Sequence, residues 1–394
     1  MTPAARVQAA IEVLDRILAG APAEQVLIGW ARGSRYAGSG DRAKVRDHVF
    51  DALRCLRSFT AGAGAVVPSG RALMIGGLRA QSVAPGEVFT GASYAPAALS
   101  DVELDAMAGA VALADCPTAV RLDWPDWLLE PLRTALGDDF EPVLEAQRQR
   151  APVFLRVNLG RGDQPRAIAA LAADGLLAEV SPMAKAALIV QGNPSKIKQS
   201  SAYLDGLVEV QDAASQAAVE QLPLSDGMRV LDYCAGGGGK SLAMAARARL
   251  DLFAHDADPR RMRDLGRRAG RAGARITLID GAGLAGRVFD LVLTDVPCSG
   301  SGTWRRTPDE KWRLTPGRLA ELVALQAGII AAAARHVRPG GHLAYMTCSL
   351  FSAENEEQIA AFLRSHPGFY LTHHQRFSPV SGGDGFFVAL LTRE

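Results

Sequence analysis

The stretch that decides the fold is VLDYCAGGGGKS, at Val230–Ser241. Its apolar first part is typical of a β-strand, and a helical pattern begins after the glycines. Glycines allow the backbone to turn tightly and let a ligand approach the main chain closely. The start of a helix offers free N–H groups to a negatively charged group. The stretch therefore predicts a strand, a glycine loop and a helix that together bind a nucleotide-like ligand.

The lysine that follows the glycines helps to separate two kinds of nucleotide ligand. Lys240 and Ser241 would end the phosphate-binding pattern G-x-x-x-x-G-K-[ST], but that pattern needs a glycine at position 234, where this chain has Cys234. ATP is therefore disfavoured. Asp256, about 20 residues further on, suits the ribose hydroxyls of an adenosine ligand. The glycines alone leave nicotinamide cofactors and S-adenosylmethionine equally well supported.

Two more carboxylates follow the next predicted strands, Asp280 and Asp295. Ligands of open α/β sheets bind beyond the carboxyl ends of the strands, where these residues and Asp256 are expected. A single aspartate at a strand end is more often a helix cap, and glycines alone can form a plain tight turn. Three aspartates on consecutive strands after a glycine loop are better explained by a site for S-adenosylmethionine.

Strands and helices alternate from about residue 211 to the end of the chain. This alternation predicts an α/β fold with a doubly wound, mostly parallel sheet. The predicted strands are Arg229–Tyr233, Leu250–His255, Arg275–Ile279, Phe289–Thr294, His342–Thr347 and Phe386–Leu391.

Two further regions precede this one in the 394-residue chain. Residues 1–140 have apolar residues at the three- and four-residue intervals of helices, as in Val7–Leu18. Residues 145–210 combine predicted strands with a helix at Pro165–Asp174 and predict a small α+β module. We therefore expect three domains, at 1–140, 145–210 and 211–394.

Composition excludes several classes of protein. The formal net charge is +1, so any nucleic-acid binding must come from local basic patches. The five cysteines are widely spaced and include no C-x-x-C, which argues against a disulfide framework or a zinc cluster. The first 20 residues lack the pattern of a signal peptide, and no segment approaches 18 consecutive apolar residues. We expect a cytoplasmic monomer with reduced thiols, no metal and no membrane span.

Two cysteines stand at predicted strand ends. Cys298 lies in the sequence DVPCSGSG at Asp295–Gly302, and Cys348 lies in Thr347–Ser349. If their strands are neighbours in the sheet, both thiols face one cleft. A single cysteine is more often a small buried apolar residue, which is how we interpret Cys55 and Cys116.

A thiol at this place suits the methylation of carbon 5 of cytosine, a poor nucleophile. A thiolate that adds to carbon 6 activates carbon 5 toward a methyl group. Asp295 is placed to stabilise the adduct near the ring N3 and amino group. Lys240 would hold Asp295 or lower the pKa of a thiol. The target base has to leave its stack to be reached.

These motifs resemble the NOL/NOP/Sun family of RNA cytosine-5 methyltransferases, and most closely its bacterial branch that acts on 16S ribosomal RNA. The resemblance rests on Asp232–Lys240, Asp295–Gly302, Thr347–Ser349 and the lead-in Gly206–Gln216. It implies a Rossmann-like methyltransferase domain. Residues 35–42 resemble part of the helical RNA-binding domain of the antitermination factor NusB, and residues 150–210 would be the family's small RNA-recognition-like module.

The resemblance also assigns roles. Cys348 would be the nucleophile and Cys298 would help to release the product, whereas DNA cytosine-5 methyltransferases use the Pro-Cys cysteine as nucleophile. The chain departs from the family's Ala-Pro-Gly-Gly-Lys at Gly236–Lys240, where it lacks the proline, and this puts cofactor affinity in doubt. The residues implied to hold S-adenosylmethionine are Cys234, Ala235, Gly236, Gly237, Gly238, Gly239, Lys240, Asp256, Asp280 and Asp295.

Basic residues outside the cleft are candidates for RNA phosphates. The arginine-rich helix around residues 260–275 is interpreted as a solvated face, and Trp304 and Trp312 would either stack on a base or pack in a core. The predicted RNA contacts are Arg35, Arg42, Lys196, Lys198, Arg305 and Arg306, with Lys311 and Arg313 as further candidates.

Three alternatives to ribosomal RNA methylation stay open. The same chemistry would serve on transfer RNA. A DNA cytosine-5 methyltransferase would need Cys298 as nucleophile and would not need Cys348. A non-catalytic RNA-binding protein would not need Lys240 and Asp295 to be intact.

Overall fold

The computed structural model describes residues 1–394, which form two compact units. The first unit contains Met1–Arg150 and Trp304–Leu314, and the second contains Ala151–Thr303 and Thr315–Glu394. The helices are α1 Pro3–Leu18, α2 Ala23–Gly33, α3 Ser39–Arg54, α4 Leu56–Gly62, α5 Gly70–Ala80, α6 Asp101–Ala108, α7 Thr118–Arg121, α8 Asp126–Leu136, α9 Phe140–Ala146, α10 Gln164–Ala173, α11 Ser201–Leu204, α12 Ala213–Glu220, α13 Gly239–Ala245, α14 Leu265–Ala272, α15 Gly281–Leu284, α16 Pro308–Arg313, α17 Pro316–Ala334 and α18 Glu356–Ser365. The strands are β1 Val153–Val157, β2 Leu177–Val180, β3 Ala187–Gln191, β4 Val208–Val210, β5 Arg229–Asp232, β6 Asp251–Ala254, β7 Thr277–Leu278, β8 Phe289–Asp295, β9 Val337–Thr347, β10 Phe369–Phe377 and β11 Phe386–Arg393.

The first unit is helical, as the apolar spacing predicts. Helix α1 begins at a proline and is capped by Thr2, whose side chain accepts the Ala5 N–H at 3.1 Å. Its apolar face packs with α3 and α5 in one core that includes Leu14, Val49 and Leu73. The resemblance of this unit to NusB stays a prediction.

The segment Trp304–Leu314 belongs to the first unit, although it follows the Pro-Cys motif directly in sequence. Trp304 is 1% exposed and lies against Trp124, with ring centroids 5.3 Å apart. The Trp312 Nε1–H donates to the Leu53 carbonyl at 2.7 Å. The predicted methyltransferase domain at 211–394 stays a prediction, and within that range the structure groups residues 304–314 with the helical unit. The apolar pattern that predicted helices and strands carries no information on which core they join.

Residues 151–210 form a small module with a four-stranded antiparallel sheet in the order β2-β3-β1-β4. Leu155 pairs with Leu188 across β1 and β3, and both pack with Leu171 of α10. The predicted α+β module is thus confirmed. Strands β2 and β4 were not predicted, because β2 exposes most of its residues and β4 has only three.

The larger sheet of the second unit has seven strands in the order β10-β11-β9-β8-β5-β6-β7. Strands β5 to β9 are parallel, and β11 lies antiparallel between β9 and β10. The predicted Rossmann-like fold is confirmed. Strands β8 and β9 are neighbours, with Asp295 opposite Met346, so the loops that carry Cys298 and Cys348 leave the same edge of the sheet side by side.

Helix α17 is long and apolar enough to cross a membrane by length and composition, a test that a helix of a protein core also passes. It packs against β8, β9 and α18 of the second unit. Its Gln326 is buried and donates to the Pro297 carbonyl at 2.9 Å. The helix thus supports the loop that carries the Pro-Cys motif.

Candidate active site

The glycine loop joins β5 to α13 through two residues in the left-handed region, Gly236 with φ +50° and Gly238 with φ +79°. A Cβ atom at Gly238 would lie 1.9 Å from a methyl carbon of Leu265, so the position has no room for a side chain. The Gly236 N–H donates to the Asp256 carboxylate at 2.9 Å. Asp256 therefore fixes the start of the loop.

A cavity of about 670 Å³ opens beside this loop, beyond the ends of β6 and β7. Its lining combines apolar surface from Met262 and Ile279 with the carboxylates of Asp256 and Asp280. The Oδ2 atom of Asp256 also lies 3.3 Å from Nη1 of Arg261, with which it forms an ion pair. Asp280 caps α15 by accepting the Gly283 N–H at 2.7 Å. Asp280 is therefore both a helix cap and part of the cavity lining.

Asp232, at the end of β5, is a buried carboxylate that carried no predicted role. Ser241 Oγ donates to one of its oxygens at 2.6 Å, and the other oxygen has no partner. Burial raises the pKa of Asp232 to about 7. The unpaired oxygen of Asp232 lies at the base of the glycine loop. The cavity, with its apolar walls and the carboxylates of Asp256 and Asp280, fits an adenosine ligand.

Lys240 and Asp295 form an ion pair next to the cysteines, with Nζ and Oδ2 2.6 Å apart. Lys240 also lies 4.9 Å from the centre of the Phe386 ring. Burial lowers the pKa of Lys240, but the charge and the hydrogen bond of Asp295 outweigh burial and raise it above its ordinary value. A Cys348 thiolate would raise it further, so the two side chains interact electrostatically. Lys240 is therefore charged and stabilises negative charge at this edge of the sheet.

The sulfur atoms of Cys298 and Cys348 lie 3.4 Å apart and share a hydrogen bond. The hydrogen bond to Cys348 and burial raise the pKa of Cys298 well above its ordinary value. Cys298 therefore stays a thiol at neutral pH. Burial also raises the pKa of Cys234, in the glycine loop, so Cys234 is a neutral thiol rather than a nucleophile.

Glu354 lies beneath both cysteine loops and was missed in the sequence. Its carboxylate is fully buried and accepts hydrogen bonds from the Ser299 N–H at 2.8 Å, Ser299 Oγ at 2.5 Å and Gln326 Nε2 at 2.9 Å. Ser349 Oγ donates to it as well. One carboxylate thus joins the residue after Cys298 to the residue after Cys348. The only signal in the sequence is an acidic residue six positions after Cys348.

The structure brings Cys298, Cys348, Lys240 and Asp295 together, with the glycine loop, Asp256 and Asp280 on the neighbouring strand ends. Outside this site, burial raises the pKa of Cys55 to about 12, in keeping with its interpretation as a core residue. Cys116 is half-buried in the first unit.

The predicted RNA contacts fall into three groups. Four are exposed, which leaves the prediction open: Arg35, Arg42, Lys196 and Lys198. Arg306 is half-buried. Arg305 and Lys311 are 4% and 1% exposed, contrary to the expectation that they meet RNA, because the segment that carries them packs into the helical unit.

Comparison with known proteins identifies relatives over most of this chain. The sequence profile of the family "16S rRNA methyltransferase RsmB/F" matches residues 219–392, and that of the "Methyltr_RsmF/B-like, ferredoxin-like domain" matches residues 124–196. Ribosomal RNA small subunit methyltransferase B of Xylella fastidiosa is 37% identical over 290 residues, 69% of either chain. The enzyme of the same name from Klebsiella pneumoniae is 35% identical over 286 residues, which are 68% of this chain and 66% of that protein.

Two solved structures share the fold. The crystal structure of PH0851 matches 99% of this chain and 99% of its own with a TM-score of 0.74 and 23% identity. NSun6 from Pyrococcus horikoshii, with SFG, an analogue of S-adenosylmethionine, matches 68% of this chain and 98% of its own with a TM-score of 0.60 and 18% identity.

Proposed function

The chain belongs to the RsmB/F family of 16S rRNA methyltransferases, within the NOL/NOP/Sun family, and from this premise we propose that it methylates carbon 5 of a cytosine in 16S ribosomal RNA. S-adenosylmethionine is the cofactor of this family. When bound, it supplies the methyl group. The loop at Gly236–Lys240, Asp256, Asp280 and Asp295 would hold it.

The pair of thiols 3.4 Å apart at the ends of β8 and β9 supports this reaction most directly. Only one thiolate is needed to add to carbon 6. The sequence Thr347–Ser349, which resembles the family's motif, favours Cys348 as this nucleophile. The charge of Lys240 stabilises the Cys348 thiolate before it attacks.

The proposed steps follow from these positions. The Cys348 sulfur forms a bond to carbon 6, and the electron pair of the C5–C6 double bond moves to carbon 5, which takes the methyl group. Asp295, held by Lys240, accepts a hydrogen bond from the cytosine amino group and keeps the ring in place. A base removes the carbon-5 proton, and the C6–S bond breaks to regenerate the Cys348 thiolate. Cys298, within hydrogen-bond distance of that sulfur, assists this release.

Single substitutions of the two cysteines test the roles. We expect Cys348→Ala to abolish methylation of 16S ribosomal RNA transcripts without forming an adduct. We expect Cys298→Ala to accumulate a covalent RNA–protein adduct, visible as a denaturation-resistant band in electrophoresis. Cys55→Ala, in the helical unit, is the matched control and should keep wild-type activity. If Cys298→Ala is inactive and forms no adduct while Cys348→Ala stays active, the assignment of Cys348 as nucleophile is wrong.

The RNA substrate needs its own test. Bisulfite sequencing of ribosomal and transfer RNA from a deletion strain should reveal one cytosine in 16S ribosomal RNA that has lost its methyl group. If a cytosine of transfer RNA loses its methyl group instead, transfer RNA is the substrate of the same reaction. With ribosomal RNA as its substrate, the protein would act in the cytoplasm of a bacterium, and the curated relatives it matches are bacterial ribosomal RNA methyltransferases.

A further inference from the structure

An arginine of the small module holds one carbonyl of the glycine loop. Arg156, in β1, is 5% exposed, and its Nη1 donates to the Gly239 carbonyl at 2.8 Å and to the Gln211 side chain. Its Nε atom has no partner. A buried guanidinium without a carboxylate hydrogen-bonded to it is costly, and burial lowers the pKa of Arg156 to about 10. The protein buries this charged group in spite of the desolvation cost, which indicates that its hydrogen bond to the Gly239 carbonyl has a role in the loop.

A second arginine holds another carbonyl of the same loop. Arg268, in α14, donates to the Gly237 carbonyl through Nη1. Its Nε lies 3.5 Å from the carboxylate of Glu209, which also accepts from Arg271 at 2.6 Å. Glu209 belongs to β4 and has a side chain only 10% exposed. The small module therefore contributes one arginine that contacts the loop and the carboxylate that anchors the other.

The contacts of Arg156 and Arg268 lie in the loop where the resembling family has a proline and this chain has none. Gly237 replaces the proline of the resembling family's loop, and four consecutive glycines lose more backbone freedom on ordering than any other residues. A Cβ atom at Gly237 would lie 2.9 Å from Arg268 Nη1. A proline ring at this position would therefore displace the far end of the Arg268 side chain from its contact with the loop.

We propose that Arg156 and Arg268 are positioning residues that order the glycine loop for S-adenosylmethionine in place of the missing proline. The small module is then part of the cofactor site as well as a candidate RNA-binding element. This inference rests on the proposed function only in that S-adenosylmethionine occupies the loop.

Calorimetric titration of the full-length protein with S-adenosylmethionine, without RNA, tests the proposal. We expect Arg268→Ala and Arg156→Lys each to raise the Kd about tenfold. The matched control is Arg267→Ala on the same helix, whose side chain is 78% exposed and pairs with Asp264, and its Kd should not change. Glu209→Gln, which leaves every arginine in place, should raise the Kd as Arg268→Ala does. Amides of residues 235–240 should exchange hydrogen faster in the affected variants.

Restoring the proline separates positioning from a general loss of structure. Gly237 has a negative φ and its N–H makes no hydrogen bond within the protein, so proline removes none. We expect Gly237→Pro to weaken binding in the wild-type background, where it meets Arg268. In the Arg268→Ala background we expect it to bring the Kd back to within about threefold of wild type.

The outcomes separate the two proposals. If the wild-type protein fails to bind S-adenosylmethionine, the proposed function is wrong. If it binds, and Arg268→Ala and Arg156→Lys bind equally well, only the positioning role is wrong. If Gly237→Pro and Arg268→Ala weaken binding additively, with no recovery in the double variant, the replacement of the proline is wrong.

Discussion

At the scale of single residues, the two thiols have unequal proposed roles in very similar surroundings. Their positions at strand ends made both candidates, and this much follows from the sequence. The structure adds that they are hydrogen-bond partners and that both are half-buried. Either sulfur can be the donor of that hydrogen bond, so the role of Cys348 comes from the motif it resembles.

Glu354 and Arg156 show why part of the site stays hidden in the sequence. Partners of Glu354 come from three separated segments around Ser299, Gln326 and Ser349. Arg156 contacts a glycine that lies 83 positions away. Neither residue belongs to a local pattern, because the contacts exist only once the chain has folded. The glycine loop was predictable since its residues are consecutive.

Asp232 yields a prediction about pH. Its unfolded pKa is near 3.8 and its folded pKa is about 7, so between these values the folded state holds a proton that the unfolded chain has lost. The free energy of unfolding therefore falls as pH rises through this window, by up to about 1.4 kcal/mol per pH unit from this group. Asp232→Asn stays neutral throughout and should lack this part of the decline.

Urea denaturation of the cofactor-free protein between pH 5 and pH 8 checks this. The difference in unfolding free energy, Asp232→Asn minus wild type, should grow by about 2 kcal/mol from pH 5 to pH 7 and level off above it. Any fixed cost of the amide shifts all points equally, so the slope is diagnostic. Asp226→Asn, an exposed aspartate, serves as control. Parallel curves for Asp232→Asn and wild type would contradict a neutral Asp232.

At the scale of elements, the strands that the sequence predicts are the buried ones. Strand β8 buries most of its residues and β11 all but one, so each reads as an apolar run. Strand β7 is an exception, because its two residues are exposed although it lies within the predicted strand Arg275–Ile279. Strand β10 carries polar residues on an exposed edge and was not predicted. It is a strand because a neighbour offers hydrogen-bonding groups, which its own sequence does not record.

Helix α16 and its flanks give a prediction about stability. Trp304 is fully buried against Trp124 in the helical unit, and truncation of a buried tryptophan costs about 3–5 kcal/mol. Trp304→Ala should therefore lower the free energy of unfolding of the helical unit by about that amount, measured by far-ultraviolet circular dichroism in urea. Trp127→Ala, a half-buried tryptophan of the same unit, should cost less than half as much. Equal losses would show that the segment is not part of that core.

At the scale of the whole molecule, the chain is close to electrically neutral, with a formal net charge of +1. Many arginines are already paired, such as Arg260 with Asp258 and Arg267 with Asp264 on the basic helix. If such a protein binds RNA, we expect a few unpaired charges to make the contacts, and the salt dependence of binding counts them. The exposed lysines of the small module, Lys196 and Lys198, are the clearest candidates in the second unit.

The double variant Lys196→Gln/Lys198→Gln tests whether these lysines contact phosphates. Each phosphate contact releases counterions and adds about 0.7 to 0.9 to the slope of log K against log salt concentration. Affinity for a 16S ribosomal RNA fragment should fall, and the slope should become shallower by about 1 to 2 in filter binding between 50 and 200 mM salt. Arg260→Gln/Arg267→Gln removes the same number of charges from residues that are already paired, so its slope should match wild type. If that variant loses the slope and the lysine variant keeps it, the RNA lies along the arginine-rich helix instead, and the small module contributes to catalysis only through the cofactor loop.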